Sequence, residues 1–335
     1  MKLFKSFRKK KKTKELDLED LYEMHKSANP SEPSEEEKLL ADVKIPPHNA
    51  EFDPETSPFA FIKTTFKIEE DQEVLIAERY YNSDEGLLYY KDFEAEPNFE
   101  KVYNYDEQGN LIEEVEISEG QVLTRDVFTY QENVTFHHLF ISGELYEVKV
   151  DRTTSDGYVE VTFQNEFEIK RKEVKGTEPN YKAWFFDLGI MIEHQVHTYD
   201  EVENVTQIET YDQDEQLKVT STKTYNDAGL LILQQAYEDK KRLILEKNYA
   251  YNEYGLVTKE ENHDVFQDIV YTAKYEYDKQ LNLIKMETHD ASGRLVAFNI
   301  NKFDHNNFLI EESVLSQGVL YHHKHVYEFK SKPVL

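Results

Sequence analysis

Apolar and polar side chains alternate with a period of two over most of the C-terminal half of the chain. Ile269, Tyr271, Ala273, Tyr275 and Tyr277 fall on one side of such a segment, and Val270, Thr272, Lys274 and Glu276 on the other. Leu217, Val219, Ser221, Lys223 and Tyr225 repeat the design against Lys218, Thr220, Thr222 and Thr224. This is the pattern of a β-strand with two unlike faces.

The alternation is itself periodic. An aromatic residue or His followed six residues later by an aliphatic one occurs at Tyr199, Tyr211, Tyr225, Tyr237, Tyr251, His263, Tyr277, His289 and Phe303. The spacings are alternately 12 and 14, a strict period of 26 residues. Asp, Asn or Glu follows every anchor, and Gly stands four after it at Gly229, Gly255 and Gly293. Asp and Asn bond their own nearby backbone and Gly supplies positive φ, so each anchor should open a five-residue turn. Tight turns between neighbouring strands impose antiparallel pairing. Because every interval is even, all anchors are expected on one face, and that face is expected to be the core side.

The fold expected is therefore all-β, a long antiparallel up-and-down meander of hairpin repeats with a 26-residue period and a short helical and disordered N-terminal appendage. Four regions are expected: a basic tail at 1–14, an acidic helical and linker segment at 15–57, an irregular hairpin region at 58–198 and the regular repeat sheet at 199–330. Helix is expected at 15–26. A second helix is expected from Ser34, whose side chain and Glu37 form a capping box before Leu39, Leu40 and Val43. Earlier the pattern is looser: Tyr105…Leu111 is the best single copy, and Tyr81…Leu87, Phe93…Phe99 and Ile117…Leu123 extend it at spacings of 12. The stretch 180–192, with Trp184, Phe185 and Phe186, breaks the rhythm and is expected to cover or redirect the sheet.

Tyr105-Asp106…Gly109-Asn110-Leu111 resembles the Tyr-Asp-x-x-Gly-x-Leu hallmark of YD repeats, as in RHS (rearrangement-hotspot) proteins. His289-Asp290…Gly293-Arg294-Leu295 does so with His for Tyr. The resemblance covers 199–315 well and 81–123 loosely. It implies a non-catalytic β scaffold, since in that family such repeats build shells around a toxin. This chain departs from the family in length, in its Gly-poor turns at Glu203, Glu215 and Lys241, and in carrying no self-cleavage motif or toxin cargo; it looks like a standalone relative.

Charge changes the picture more than composition does. The 335 residues carry 67 Asp and Glu against 39 Lys and Arg, a net charge of −28. With no Cys, thiol nucleophiles, disulfides and thiolate zinc sites are excluded. Eight basic residues and no acid lie in residues 1–14, leaving −36 on the remainder. The acidic run after Lys14 does not read as the apolar core of an export signal, so a cytoplasmic protein is expected, with a peripheral place at the inner face of the membrane as the variant. Leu3, Phe4 and Phe7 share one face of a helical turn, with Arg8, Lys9 and Lys10 beside them. These six are the candidate membrane or partner contacts. The alternative is a solvated tail, and nucleic acid is disfavoured because the acidic body repels phosphates.

Sites of chemistry are sparse. His323 and His325 share a strand face near His322, and His194 and His197 are three apart, but neighbouring residues suit ordinary strands. His137-His138 reads as a strand crossing a core boundary. The Glu113-Glu114-Val115-Glu116, Glu260-Glu261 and Glu311-Glu312 runs are best explained as cross-strand ion pairs with lysines. No catalytic residue, cofactor or metal is assigned. The expected function is a non-enzymatic interaction scaffold for a basic protein partner, in its most concrete form an immunity or chaperone-like protein that neutralises a toxin. The alternative is a structural protein tethered through its basic N-terminus.

The tail reading is testable at once. Each basic residue near an anionic leaflet contributes ~1 kcal/mol. Full-length protein is expected to float with anionic vesicles and a variant lacking residues 1–14 to fold equally well and stay soluble. Equal recovery of both in the soluble fraction removes the membrane-tethered role.

Overall fold

The computed structural model describes residues 34–45, 47, 52–70, 72–165, 167–176 and 182–330. The expected helix at 15–26 and the candidate contacts Leu3, Phe4, Phe7, Arg8, Lys9 and Lys10 lie outside the described residues. The rest is one helix, α1 (Glu35–Asp42), and 22 strands from β1 (Phe61–Glu69) to β22 (Val319–Phe329). The Ser34 capping box forms as expected: Ser34 Oγ accepts from the Glu37 amide at 3.1 Å, and the Glu37 carboxylate accepts from the Ser34 amide at 2.6 Å.

Each strand pairs antiparallel with the next, and β1 also pairs with β22 over seven residues, from Phe61↔Phe329 to Lys67↔His323. The meander is thus closed into a barrel. The stretch 180–192 does not redirect it: β11 (Lys182–Asp187) and β12 (Ile190–Tyr199) continue the same ladder, with Trp184 opposite His194. At about 4.8 Å per strand the ring measures roughly 105 Å, a radius of about 17 Å before strand tilt. Side chains cannot fill such a bore. Among the described residues, strands pack substantially only against their two neighbours in the ring.

The anchor motif has a physical explanation at each position. In the turn after Tyr225, the Asn226 Oδ1 accepts from the amides of Ala228 and Leu230, and the Gly229 amide closes on the Asn226 carbonyl. Asp106, Asp200, Asn252, Asp278 and Asp304 make the same pair of bonds. The fourth residue after the anchor is left-handed whether it is Gly229 (φ 76°) or Glu203 (φ 69°) and Leu281 (φ 69°); in the turns after Tyr237 and His263 the left-handed residues are instead Asp239 and Lys240, and Asp268. The anchor then faces its sixth follower, as in Tyr225↔Leu231, Tyr251↔Val257 and Tyr277↔Leu283, and the register slips by one residue immediately beyond. The tyrosine hydroxyl donates to the carbonyl beside the slip in the previous hairpin: Tyr225 to Val205 (2.9 Å), Tyr251 to Leu231 (2.6 Å) and Tyr277 to Val257 (2.9 Å). Phe303 has no hydroxyl, and the Asn301 amide takes over, donating to the Leu283 carbonyl at 3.0 Å.

The slip also corrects the face assignment. Ser221 pairs with Ala236 but Thr220 with Tyr237, so Tyr237 lies on the face opposite Tyr225. Each slip adds one unpaired residue and inverts the alternation. Tyr225, Tyr251 and Tyr277 share a face, as a 26-residue period requires, while Tyr211, Tyr237 and His289 take the other. Nor is the anchor face a core: these tyrosines are only half-buried.

The core lies instead in the irregular region. Phe136, Val148, Val150, Val159, Val161 and Phe163 form a buried cluster against which Leu39, Leu40 and Val43 pack. Tyr80, Tyr89, Val102 and Val115 form another, covered by Phe52 and Phe59. The register puts both on one face of the sheet. The segment expected to be an appendage therefore seals the sheet where the repeat is weakest, because apolar side chains there replace the polar positions of the repeat.

Two substitutions separate these contributions. Tyr277→Phe removes one hydroxyl-to-carbonyl bond and is expected to cost ~1 kcal/mol. Leu281→Gly relieves a left-handed leucine and is expected to gain about 0.5 kcal/mol after the added chain entropy. Urea unfolding midpoints should move in opposite directions; movement in the same direction refutes the turn account.

Candidate functional site

Closure gathers charged and polar side chains at the seam. β1 lies between β2 (Gln72–Tyr81) and β22, which sets Lys63 between Arg79 and Tyr327, and Thr65 between Ala77 and His325. Thr65 Oγ1 and His325 Nδ1 are 3.1 Å apart, both residues being buried. The Arg79 guanidinium donates to the same Thr65 oxygen at 3.3 Å and lies over the Tyr90 ring at 4.6 Å. Lys63 Nζ sits 5.7 Å from the Tyr327 ring centroid. Glu312, on β21 (Leu309–Ser316), accepts from Asn299 at 3.0 Å and lies 3.5 Å from His323 Nδ1.

Burial, and then the charge of Arg79, hold the Lys63 ammonium below its ordinary pKa. Burial also lowers His325, to about 4, with the charges of Lys63, His323 and Arg79 adding to it. His325 is therefore neutral at physiological pH. With Arg79 donating to Thr65, the threonine hydroxyl is free to donate to Nδ1, which leaves the proton on Nε2. Among the described residues Nε2 has no hydrogen-bond partner. The cluster can brace the seam and hold a polar group. Its hydroxyl–imidazole pair, Thr65 with His325, is buried in the seam.

The histidines singled out earlier are accounted for individually. His323 and His325 do share a face, while His322 lies on the other and bonds Ser313 at 2.7 Å. Among the described residues, no three His, Asp or Glu side chains are grouped to hold a metal. His194 and His197 point to opposite faces of β12, and His194 stacks on Tyr211 at 4.8 Å. His138 is buried while His137 stacks on Phe128 and meets Asp126, the expected crossing of a core boundary. The paired glutamates are ion-paired across strands as expected, Lys101 to Glu114 at 2.8 Å, Arg125 to Glu113 at 2.6 Å and Lys302 to Glu311.

Sequence reasoning missed a second cluster. Glu36 of α1 is only 2% exposed and lies between Arg152 (2.7 Å) and Arg171 (3.1 Å), which also meets Glu168 (2.7 Å) and Glu173 (3.3 Å). Burial pushes the Glu36 carboxyl up, but the bonds and charges of the two arginines outweigh it and hold it below its usual value. Helical spacing puts Glu36 on the same stripe as Leu39, Leu40 and Val43, a signal that could have found it; its arginine partners come together only on docking.

The turns form a third feature. The ten hairpin turns between even-numbered strands and their odd-numbered successors all lie on one rim. Their described residues hold 13 carboxylates and one lysine, Lys279. We call this rim the crown. Asp106, Asp200 and Asp278 are held below the usual carboxylate range by hydrogen bonds from the backbone and side chains of Asn110, Asn204 and Asn282. Glu107, Glu201, Asp227 and Glu253, each second after an anchor, are exposed.

One strand of the repeat presents charge on both sides. β17 (Val257–Asp264) carries Lys259, Glu261 and His263 on one face and Glu260, Asn262 and Asp264 on the other. A membrane barrel needs an outer apolar band about 25 Å tall. Among the described residues, no helix is long and apolar enough to cross a membrane.

No family model and no curated protein matches this chain. Among solved structures, it is similar to the TcdB2–TccC3–Cdc42 complex at 12% identity and a TM-score of 0.29, covering 74% of this chain and 16% of that one. It is also similar to a porin-like protein from Bacteroides uniformis at 9% identity and a TM-score of 0.27, covering 81% of this chain and 97% of that one. A Photorhabdus luminescens Tc holotoxin pore matches at 10% identity and a TM-score of 0.18, with 78% and 19% covered. This chain thus spans a small part of the toxin chains. Scores this low carry no argument about it; what stands is a repeat-containing all-β fold, on its own register.

The seam makes stability depend on pH. An unfolded histidine titrates near 6.5 and the folded His325 near 4. As pH falls the unfolded chain takes the proton first, so this contribution is complete above about 6.5 and lost between 6.5 and 4, by at most ~3 kcal/mol. His325→Asn, whose amide can replace Nδ1, is expected to flatten the melting temperature over that range. An unchanged pH profile excludes the seam as its source.

Proposed function

We propose that this chain is a non-enzymatic interaction scaffold that receives a basic protein partner on its acidic crown. The observation that carries the proposal is the concentration of exposed carboxylates on one rim of a closed ring. Closure leaves no free strand edge, so a partner cannot add a strand and must dock on a face or a rim. The turns hold their backbone rigidly, so the charges need little ordering on binding. A crown of one sign also steers an oppositely charged protein and accelerates encounter. The YD-like turns support a finer form, a relative of RHS repeat proteins that neutralises a basic toxin as an immunity or chaperone-like protein. The basic tail favours a second reading, a structural ring held at the cytoplasmic face of a membrane.

The crown version is tested with a basic probe protein, cytochrome c, by calorimetry at rising salt. Binding is expected at low ionic strength and should weaken steeply towards physiological salt, where exposed charges are screened beyond ~8 Å. The quadruple variant Glu107→Gln, Glu201→Gln, Asp227→Asn and Glu253→Gln should lose most of it. Affinity that is flat with salt, or unchanged in the variant, overturns the crown as the docking surface.

A further inference from the structure

Two cations at the seam stand opposite one another without an acid between them. Lys63 and Arg79 are direct partners across β1 and β2, on the face that also carries Thr65, His325 and Tyr327. Like charges so placed repel, and both side chains are half-buried. Among the described residues their contacts are the rings of Tyr327 and Tyr90 and the Thr65 hydroxyl, with no carboxylate in ion-pair reach. The chain has 67 Asp and Glu to draw on. The other five described arginines, Arg125, Arg152, Arg171, Arg242 and Arg294, each meet a carboxylate. Two lysine pairs are also opposed, Lys175↔Lys182 and Lys259↔Lys274. There Lys175 meets Glu173, Lys259 meets Glu261, and Lys182 and Lys274 are exposed.

The acids whose charge reaches the Lys63–Arg79 pair are engaged elsewhere. Glu312, which acts on Lys63, accepts from Asn299 and faces His323. Asp92, on which Arg79 acts, accepts from the Tyr90 hydroxyl at 2.7 Å and from the amides of Glu94 and Ala95. Asp304 caps its own turn, and Glu69 and Glu94 hold Lys67. Glu78 and Glu328 lie on the other face, opposite Thr64 and Ile62. Beside the two cations, His325 is only 7% exposed and its Nε2 has no hydrogen-bond partner among the described residues. The seam therefore gathers more donors than acceptors.

We propose that Lys63 and Arg79 form a binding site for a phosphoryl group, free or carried on a small ligand. Two adjacent positive charges match the charge of about −2 on a phosphate, which a carboxylate balances only by half. The guanidinium offers a planar fork of donors and the ammonium a movable point charge, a combination suited to phosphate oxygens. Partial burial strengthens both contacts relative to open water. The net charge of −28 does not forbid an anion here. Exposed charges are screened beyond ~8 Å at physiological ionic strength, and the acids that reach the pair are already bonded. A bound phosphoryl group relieves the repulsion between β1 and β2 and ties them together beside the closing ladder. The site uses none of the crown carboxylates.

Calorimetry of the full chain with inorganic phosphate, against chloride at equal ionic strength, tests this under conditions where circular dichroism shows each variant folded. Phosphate is expected to bind saturably with a Kd at or below about 1 mM and to raise the melting temperature. Lys63→Met and Arg79→Met should each weaken binding at least tenfold, and Arg79→Lys by less, because it keeps the charge and loses the fork. Lys259→Met, in one of the other opposed pairs, should leave binding unchanged. In chloride alone Lys63→Met should melt no lower than wild type, since it removes a repulsion and keeps an unbranched stem. A clear loss of stability there assigns the pair to the fold and overturns its reading as a ligand site. Glycerol 3-phosphate in the same titration separates a carried phosphoryl group from the free ion, and saturable binding of either supports the site. No saturable binding of either below about 10 mM, or equal binding by wild type and both Met variants, overturns the proposal. The quadruple crown variant should bind phosphate as wild type does, so this proposal and the docking proposal fail separately.

Discussion

The ladder between β1 and β22 is the contact on which the rest of the structure depends. It joins residues more than 250 positions apart, through seven residue pairs and a set of rings in which Phe61 stacks on Tyr81 at 4.7 Å and lies 5.3 Å from Phe329. Every other strand pairing is local and would form in an open sheet. Closure alone removes both free edges, which an open meander of this length would present as templates for aggregation. It also carries the entropic cost of the longest loop in the chain. The buried Thr65–His325 contact and the Arg79 bond sit at this junction, where a polar network fixes one register among several that an apolar seam would permit.

A closed ring of this circumference cannot be filled, and that accounts for the chain's composition. With both faces wet, polar side chains suit either, and cross-strand pairs such as Lys101–Glu114 and Lys302–Glu311 replace core packing as the lateral ties. Individually such pairs contribute little. The tyrosine hydroxyls matter more, because each satisfies a carbonyl that the register slip leaves without its ladder partner. Asn301 doing the same work beside Phe303 shows that the carbonyl, rather than the aromatic ring, sets the requirement.

Alternation of the turns between two rims gives the ring its polarity. The five-residue turns with their Asp or Asn caps are concentrated on the crown, while the opposite rim mixes short left-handed turns with apolar strand ends. The proposal of charged recognition at the crown follows from that division. The buried Glu36, clamped by Arg152 and Arg171, holds α1 over the apolar half of the sheet.

By itself the sequence determined the strands, their antiparallel order, the turns and the 26-residue period, because these rest on contacts within about a dozen residues. It also determined the helix cap at Ser34 and the ion pairing of the glutamate runs, for the same reason. Four things were decided only in three dimensions. The seam is invisible locally, since Phe61 to Lys67 and His323 to Phe329 resemble any other strand. The faces of the anchors invert because each turn adds an unpaired residue, which even spacing conceals. The seat of α1 depends on where Arg152 and Arg171 come together on strands far along the chain. The unlike rims appear only when every second turn is brought to the same end. Local chemistry writes the hairpins; which hairpins become neighbours across the seam, and what lies against them, is settled by closure of the ring.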